Sequence, residues 1–233
     1  MLYPDIAEAT SLQIALQREF NHLGHQLTAL PARDAPGWRF VGARVEDAHR
    51  HTSVVMGILE RVFTMEFWAA RVHMASGNTA DLRAVAGAIR IWQSGSPVRT
   101  LNSEWPFVHF SPLAEAHERG EAAEFTWQQY LDNPKNAPQL LRLNSFIATA
   151  IREPRLRALF PFTSMDTLGF SQTPGYPHSG GCPWVTPLDD GRYLITTSDG
   201  HELGTADAAG SVAHVLAALD AQPTITPVQN RQT

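Results

Sequence analysis

The sequence predicts an α+β fold in which two β-rich ends flank a helical middle. Residues 38–74 and 167–197 are rich in β-branched and aromatic residues. Residues 98–160 instead show helical spacing interrupted by prolines and glycines, and a helix pattern follows each β-rich end. Because this order lacks the regular alternation of strand and helix that builds a parallel sheet, we expect antiparallel strands.

The predicted division of the chain follows from the same order of elements. We expect one compact domain made of an N-terminal α+β unit (1–97), a helical middle (98–160), a C-terminal β-rich unit with a final helix (161–221) and a flexible tail (222–233).

The first segment predicts a single helix. Asp5 and Glu8 have the spacing of a capping box, and Gly24 can end the helix in the left-handed conformation. The apolar residues that recur at helical spacing are Ile6, Leu12, Leu16, Phe20 and Leu23. Residues 31–37 predict a loop because they combine two prolines, a glycine and charged side chains.

Three strands and a helix are predicted next. The strands span Trp38–Val45, Thr52–Ile58 and Val62–Met74. Gly77-Asn78 would close the last strand, and Thr79 can cap the helix that follows. The apolar side of that helix holds Leu82, Val85, Ala86, Ile89 and Trp92.

The middle of the chain predicts several short helices. Ser111 followed by Pro112 is typical of a helix start, and Gly120 separates that helix from the next. Residues 140–151 predict a further amphipathic helix, and residues 154–161 predict a turn bounded by prolines.

The C-terminal third returns to strands. They are predicted at Thr167–Ser171, Trp184–Pro187 and Arg192–Thr197, with Asp190-Gly191 as a hairpin turn and a helix over Thr205–Leu219. Thr79-Ala80-Asp81 and Thr205-Ala206-Asp207 both lie between a β-rich run and a helix. An internal duplication or capping chemistry alone would each produce this similarity.

Composition excludes several classes of protein. The chain has 233 residues, of which 43% are apolar, and a net charge of −5, so neither disorder nor a strongly basic nucleic-acid binder is expected. The single cysteine, Cys182, excludes an internal disulfide and a cysteine-based zinc site. No apolar run reaches membrane-spanning length and no secretory signal begins the chain, so we expect no membrane partner and a cytoplasmic location.

Several stretches resemble those of a known family. They are residues 153–164, 168–171, 176–177, 2–6, 79–82 with Trp92, and 114–120, spread over most of residues 2–219. Together they resemble an actinobacterial family of uncharacterised natural product biosynthesis proteins. The resemblance implies a role in secondary metabolism and supplies no catalytic residues. Where members often read Ser-His, this chain has Ser164 followed by Met165.

The loop over residues 171–187 is the strongest candidate for a site. It contains four prolines and three glycines, and it carries Tyr176, His178, Cys182 and Trp184. His178 could act as a general base and Cys182 as a nucleophile, with Tyr176 and Trp184 contacting a substrate. The alternative is that the loop only connects two strands and that Cys182 is a small core residue.

Two further groups of residues are weaker candidates. Ser164 and Asp166 lie near Arg155 and Arg157 in sequence, and the arginine forks could clamp an anion or carboxylate there. A turn in which Ser164 or Asp166 bonds its own backbone explains the same residues. Glu66 and Trp68 would share one side of a strand opposite Phe67, and that mixed side could line a cavity for a polycyclic or amino-acid-derived metabolite.

These observations favour a protein that acts on a small molecule without a cofactor. The chain has no phosphate-cradling glycine motif or nucleophile elbow, and neither His22/His25 nor His49/His51 completes a metal-ligand pattern, so we expect no nucleotide, flavin or metal. A cyclase, isomerase or dehydratase that uses acid–base side chains is the enzymatic hypothesis. The rival hypothesis is a non-catalytic binding, accessory or immunity-like protein that recognises a metabolite or a protein of the pathway.

Overall fold

The computed structural model describes residues 1–32, 38–132 and 138–221. They form two units, Met1–Gly120 and Glu121–Thr233. Each unit has its own antiparallel sheet and its own buried apolar core, so the predicted α+β class is confirmed. The boundary between the units falls inside the segment predicted as a helical middle.

The first unit begins with two helices rather than the single helix predicted. Helix α1 spans Pro4–Ala9 and α2 spans Leu12–His22. Thr10, between them, has a φ of 70°, and the Ser11 side chain accepts a hydrogen bond from the Ile14 amide, which caps α2. Asp5 therefore lies inside α1 and is not a cap. Gly24 ends α2 in the left-handed region, as predicted.

The sheet of the first unit has six strands whose spatial order follows the sequence. They are β1 (Leu30–Pro31), β2 (Gly42–Glu46), β3 (Arg50–Met56), β4 (Phe63–Ala69), β5 (Val72–Thr79) and β6 (Val108–Phe110), and each pairs antiparallel with the next. Residues alternate along β4 between buried and exposed, so one face of the sheet packs into the core and the other is open.

Two predicted strands have the wrong bounds. Residues 38–41 form the short helix α3 (Trp38–Val41), and only the end of the predicted strand belongs to β2. The run Val62–Met74 contains β4 and the start of β5, which a tight turn connects. Ala70 and Arg71 form this turn with φ values of 46° and 67°, a conformation that the sequence does not indicate because neither residue is Gly or Asn.

The first unit continues with three helices, α4 (Leu82–Gln93), α5 (Val98–Glu104) and α6 (Pro112–Glu118). The cap of α4 is Asp81 rather than Thr79, because the Asp81 carboxylate accepts from the Arg83 amide at 2.9 Å. Ser111 caps α6 as predicted. Gly77 and Asn78 lie within β5 and do not close it.

The hydroxyl of Tyr3 fixes the hairpin between β3 and β4. It lies 2.8 Å from the Gly57 carbonyl and 3.0 Å from the Glu60 carbonyl, and it accepts from the Val62 amide at 3.0 Å. The guanidinium of Arg61 makes a two-point ion pair with Asp5 at 2.7 and 2.8 Å. The start of the chain is thus bonded to the hairpin more than fifty residues away.

Along the chain of the second unit, helices come both before and after the five strands of its sheet. Helices α7 (Ala122–Asp132), α8 (Pro138–Ala150) and α9 (Pro154–Arg157) come first, then β7 (Phe160–Ser164), β8 (Thr167–Ser171), β9 (Trp184–Pro187), β10 (Tyr193–Thr196) and β11 (Glu202–Ala206), and finally α10 (Ala208–Ala221). The strands are again neighbours in sequence order. Trp127, Phe146 and Phe170 are fully buried in this unit's core.

The predicted bounds of β8 and β9 are confirmed, whereas β7 and β11 were not predicted. Pro161 suggested a turn, but β7 is an edge strand, where the missing amide proton of proline breaks no ladder bond. Helix α10 starts after Asp207, whose carboxylate accepts from the Gly210 amide. Both Thr-Ala-Asp segments therefore end a strand and cap a helix, which local capping explains.

Two predicted features fall wholly or mostly outside the described residues: the loop over 31–37 and the tail 222–233. Among the helices that the structure does describe, none combines the length and apolar character needed to cross a membrane.

Candidate functional site

The loop between β8 and β9 is held by two serines. Ser171, at the end of β8, is fully buried, and its hydroxyl donates to the Thr173 carbonyl at 2.6 Å and accepts from the Ser179 amide at 3.0 Å. The Ser179 hydroxyl in turn accepts from the Gln172 amide. These bonds fold the loop back on itself and place His178 beside the sheet. The Tyr176-Pro177 peptide bond within the loop is cis.

His178 is stacked on an aromatic side chain of the edge strand. Its ring centroid lies 3.8 Å from that of Phe162, with an angle of 19° between the planes. Burial lowers the pKa of His178 below its ordinary value, so the imidazole is neutral at pH 7. Its Nδ1 atom is buried and has no hydrogen-bond partner within the described residues.

A glycine allows Phe162 to take this position. Phe162 pairs with Gly169 across β7 and β8, and a Cβ atom on Gly169 would lie only 2.5 Å from Cζ of the Phe162 ring. The ring of Phe162 therefore reaches over β8 at the place where that strand has no side chain.

Four rings, the stacked pair among them, line one cleft together with two hydroxyl-bearing residues of β7. Its volume is about 330 Å³, and its lining residues are Phe162, Thr163, Ser164, Tyr176, His178 and Trp184. Trp184 stands at 89° to Phe162 with 5.2 Å between centroids, and Tyr176 stands at 87° to His178 with 5.9 Å between centroids. We refer to this site as the aromatic cleft. It unites three of the predicted site residues, Tyr176, His178 and Trp184.

Cys182 lies apart from the aromatic cleft. Its side chain is 5% exposed and belongs to the apolar core of the second unit. Burial raises the pKa of the thiol, which disfavours the thiolate that a nucleophile requires. The structure therefore matches the alternative in which Cys182 acts as a small core residue.

Asp166 and Arg157 do not form an anion clamp. Asp166 is exposed near the turn between β7 and β8. Arg157 is ion-paired with Glu124 across two of its nitrogens, and Arg155 is ion-paired with Asp220 at 2.6 Å. Both guanidinium groups thus bind carboxylates of the chain other than Asp166.

Glu66 and Trp68 belong to the open face of the first unit's sheet. Glu66 is exposed, Trp68 is partly exposed, and Phe67 between them is fully buried, as alternation along a strand requires. Trp68 is stacked with His51 at 5.7 Å and meets the edge of His73 at 5.0 Å. These two residues thus lie in a different unit from the aromatic cleft.

Phe162 is the main site residue that the sequence did not indicate. Phe160 and Phe162 have the alternating spacing of a strand and lie just before a predicted strand, which could have indicated β7. The prolines of the segment favoured a turn instead. Within the described ranges, no three His, Cys, Asp or Glu side chains come together in a group that could hold a metal ion.

Comparison with known proteins shows that the second unit is similar to one sequence family and gives no activity. No curated protein and no solved structure matches the chain. Residues 121–227, which make up nearly all of the second unit, match the model of a family of unknown function (DUF6193).

Proposed function

We propose that the protein acts in bacterial small-molecule metabolism and that its second unit binds a small organic molecule in the aromatic cleft. The observation that carries this proposal is the convergence of four rings, from β7, the loop and β9, on one cavity of about 330 Å³. Small-molecule sites are concave and mostly apolar, with a few polar groups that orient the ligand. Here the hydroxyl of Ser164 and the imidazole of His178 would orient it.

The metabolic setting rests on the resemblance to actinobacterial natural product biosynthesis proteins. That resemblance supports a role in secondary metabolism, a cytoplasmic location and a metabolite as the ligand. A protein of the same pathway is a further partner consistent with it.

The geometry supports recognition of the ligand better than catalysis. Acid–base catalysis commonly pairs one side chain that takes a proton with a second that gives one, both within reach of the reacting atoms. Cys182 is buried in the core, and Asp166 does not line the aromatic cleft. The titratable side chains that line the cleft are therefore His178 and the phenol of Tyr176, and neither is a carboxylate or a thiol. This arrangement favours a non-catalytic binding or accessory protein.

A cofactor-independent cyclase, isomerase or dehydratase is the second candidate. It is favoured by the state of His178, whose Nδ1 has no partner within the described residues and whose lowered pKa keeps it available as a base. In such a reaction His178 would accept a proton from the ligand and return it at another atom.

Ligand binding can be tested with a fragment library screened against the full chain by ligand-observed NMR. We expect hits that are lost in Phe162→Ala and retained in the control Leu141→Ala, which removes an exposed side chain of the same unit. Hits that persist in Phe162→Ala, or an absence of hits, would contradict the proposal.

His178→Phe separates the two candidates, because phenylalanine keeps the stacked ring and removes the base. If the protein only binds its ligand, the variant retains binding and supports product formation in the producing pathway. If His178 is catalytic, binding persists and product is lost. His201→Ala, an exposed histidine of the same unit, is the matched control.

A further inference from the structure

The stacked pair in the aromatic cleft leaves no slot for a flat ligand. The centroids of Phe162 and His178 are 3.8 Å apart, which is already the contact distance of carbon atoms. A third ring cannot enter between them. A ligand in the cleft must therefore lie outside the pair, next to the two remaining rings.

The two remaining rings stand at right angles to the pair. Trp184 is perpendicular to Phe162, and Tyr176 is perpendicular to His178. Rings set at right angles surround a compact group from several directions, whereas a flat group gains most from parallel rings. The face of an aromatic ring is the negative part of its quadrupole and attracts cations, most strongly for tryptophan.

The charges around the cleft agree with a cationic ligand. In the described part of the chain, no Arg or Lys side chain lines the cleft, and no Asp or Glu does so either. His178 is neutral at pH 7, because burial lowers its pKa, and does not repel a cation. The chain as a whole carries a net charge of −5, which attracts cations at long range.

We propose that the aromatic cleft binds the methylated ammonium group of a small molecule, such as a choline-type or betaine-type compound, through contacts with Trp184 and Tyr176. This inference rests on the proposed function, since it names the ligand class of the same cleft. A quaternary ammonium donates no hydrogen bond, so it needs no acceptor in the cleft and can be held by the faces of aromatic rings. The hydroxyl of Ser164 would bond the polar end of the molecule.

The test compares choline with 3,3-dimethylbutan-1-ol, which has the same shape but carries a carbon in place of the charged nitrogen. Titration calorimetry on the full chain measures both. We expect choline to bind at least about tenfold more tightly, because only the charged compound gains cation–π attraction. Trp184→Leu should lower the affinity for choline by a similar factor, whereas Trp184→Phe should retain most of it. His201→Ala should leave the affinity unchanged.

Tyr176→Leu provides a variant that does not depend on core packing, since Tyr176 is 74% exposed. It should also weaken choline binding. Equal affinity for choline and its neutral analogue, or no binding of choline, would overturn this inference. A successful fragment screen would still support ligand binding in the cleft. A trimethyl-lysine peptide that binds more tightly than choline would overturn the assignment to a free small molecule.

Discussion

Replacing Gly169 with alanine tests how the aromatic cleft is built. The new Cβ would lie 2.5, 2.9 and 3.0 Å from three carbons of the Phe162 ring, whereas ordinary contacts between carbon atoms lie at about 3.5–4.0 Å. The ring must therefore move, and its movement disturbs the stack with His178.

The size and sign of the effect depend on Phe162. Overpacking of this kind costs about 1–3 kcal/mol in the free energy of unfolding. In the Phe162→Ala variant the clash is absent. Alanine at position 169 should then raise the free energy of unfolding by about 0.5–1 kcal/mol, because glycine weakens the interior of a strand. Gly169→Ala is thus expected to destabilise the wild type and to stabilise the Phe162→Ala variant, with a coupling energy of about 2 kcal/mol.

Urea unfolding of the four proteins of this cycle, followed by circular dichroism, measures the coupling. Gly180→Ala is the matched control, because a Cβ atom there meets nothing within 4 Å. Gly169→Ala should also weaken the binding of any ligand found for the cleft. If Gly169→Ala changes the free energy of unfolding equally in the wild type and in the Phe162→Ala variant, the Phe162 ring does not require glycine at position 169. That result would refute the reasoning.

Three further outcomes are expected. Tyr3→Phe should lower the unfolding free energy of the first unit by about 1–3 kcal/mol, because it leaves the Val62 amide and the hairpin carbonyls without their partner; an unchanged urea midpoint would contradict this. Cys182 should react with a thiol reagent only after unfolding, since it is 5% exposed and burial raises its pKa; rapid labelling of the native protein would show that the core assignment is wrong. Burial lowers the pKa of His178 from its ordinary 6.5, so the unfolded chain takes up a proton at a higher pH than the folded chain does. The contribution of neutral His178 to stability should therefore be complete above pH 6.5 and decline as the pH falls below it. His178→Phe should flatten the dependence of Tm on pH in this range, and an unchanged slope would contradict the prediction.

Much of the fold was predictable because hydrophobic spacing and capping residues determine it locally. The bounds of β8 and β9 and the cap at Ser111 follow from such signals. The turn at Ala70 and Arg71 was not predictable, because both residues adopt positive φ without the Gly or Asn that normally marks such a turn. The pairing of the flanking strands selects this turn despite its local cost.

The candidate site was predictable only in part. The density of prolines and glycines indicated the loop that carries Tyr176 and His178, because such loops present side chains on a rigid scaffold. The role of Phe162 depends on strand register, which pairs it with Gly169 and is not visible in a single sequence. Burial of Cys182 is likewise a tertiary property.

The bond between Tyr3 and the hairpin has a consequence for how the protein is made. Tyr3 leaves the ribosome before its partner carbonyl at Gly57, which follows 54 residues later. At about 5–20 residues per second this delay is roughly 3–11 s. During that time α1 has no hairpin to close against, and the entropy of closing so long a loop opposes the contact until the sheet has formed. Helix α1 therefore waits for a partner that is translated after it, and its contact with the hairpin forms late in the folding of the first unit.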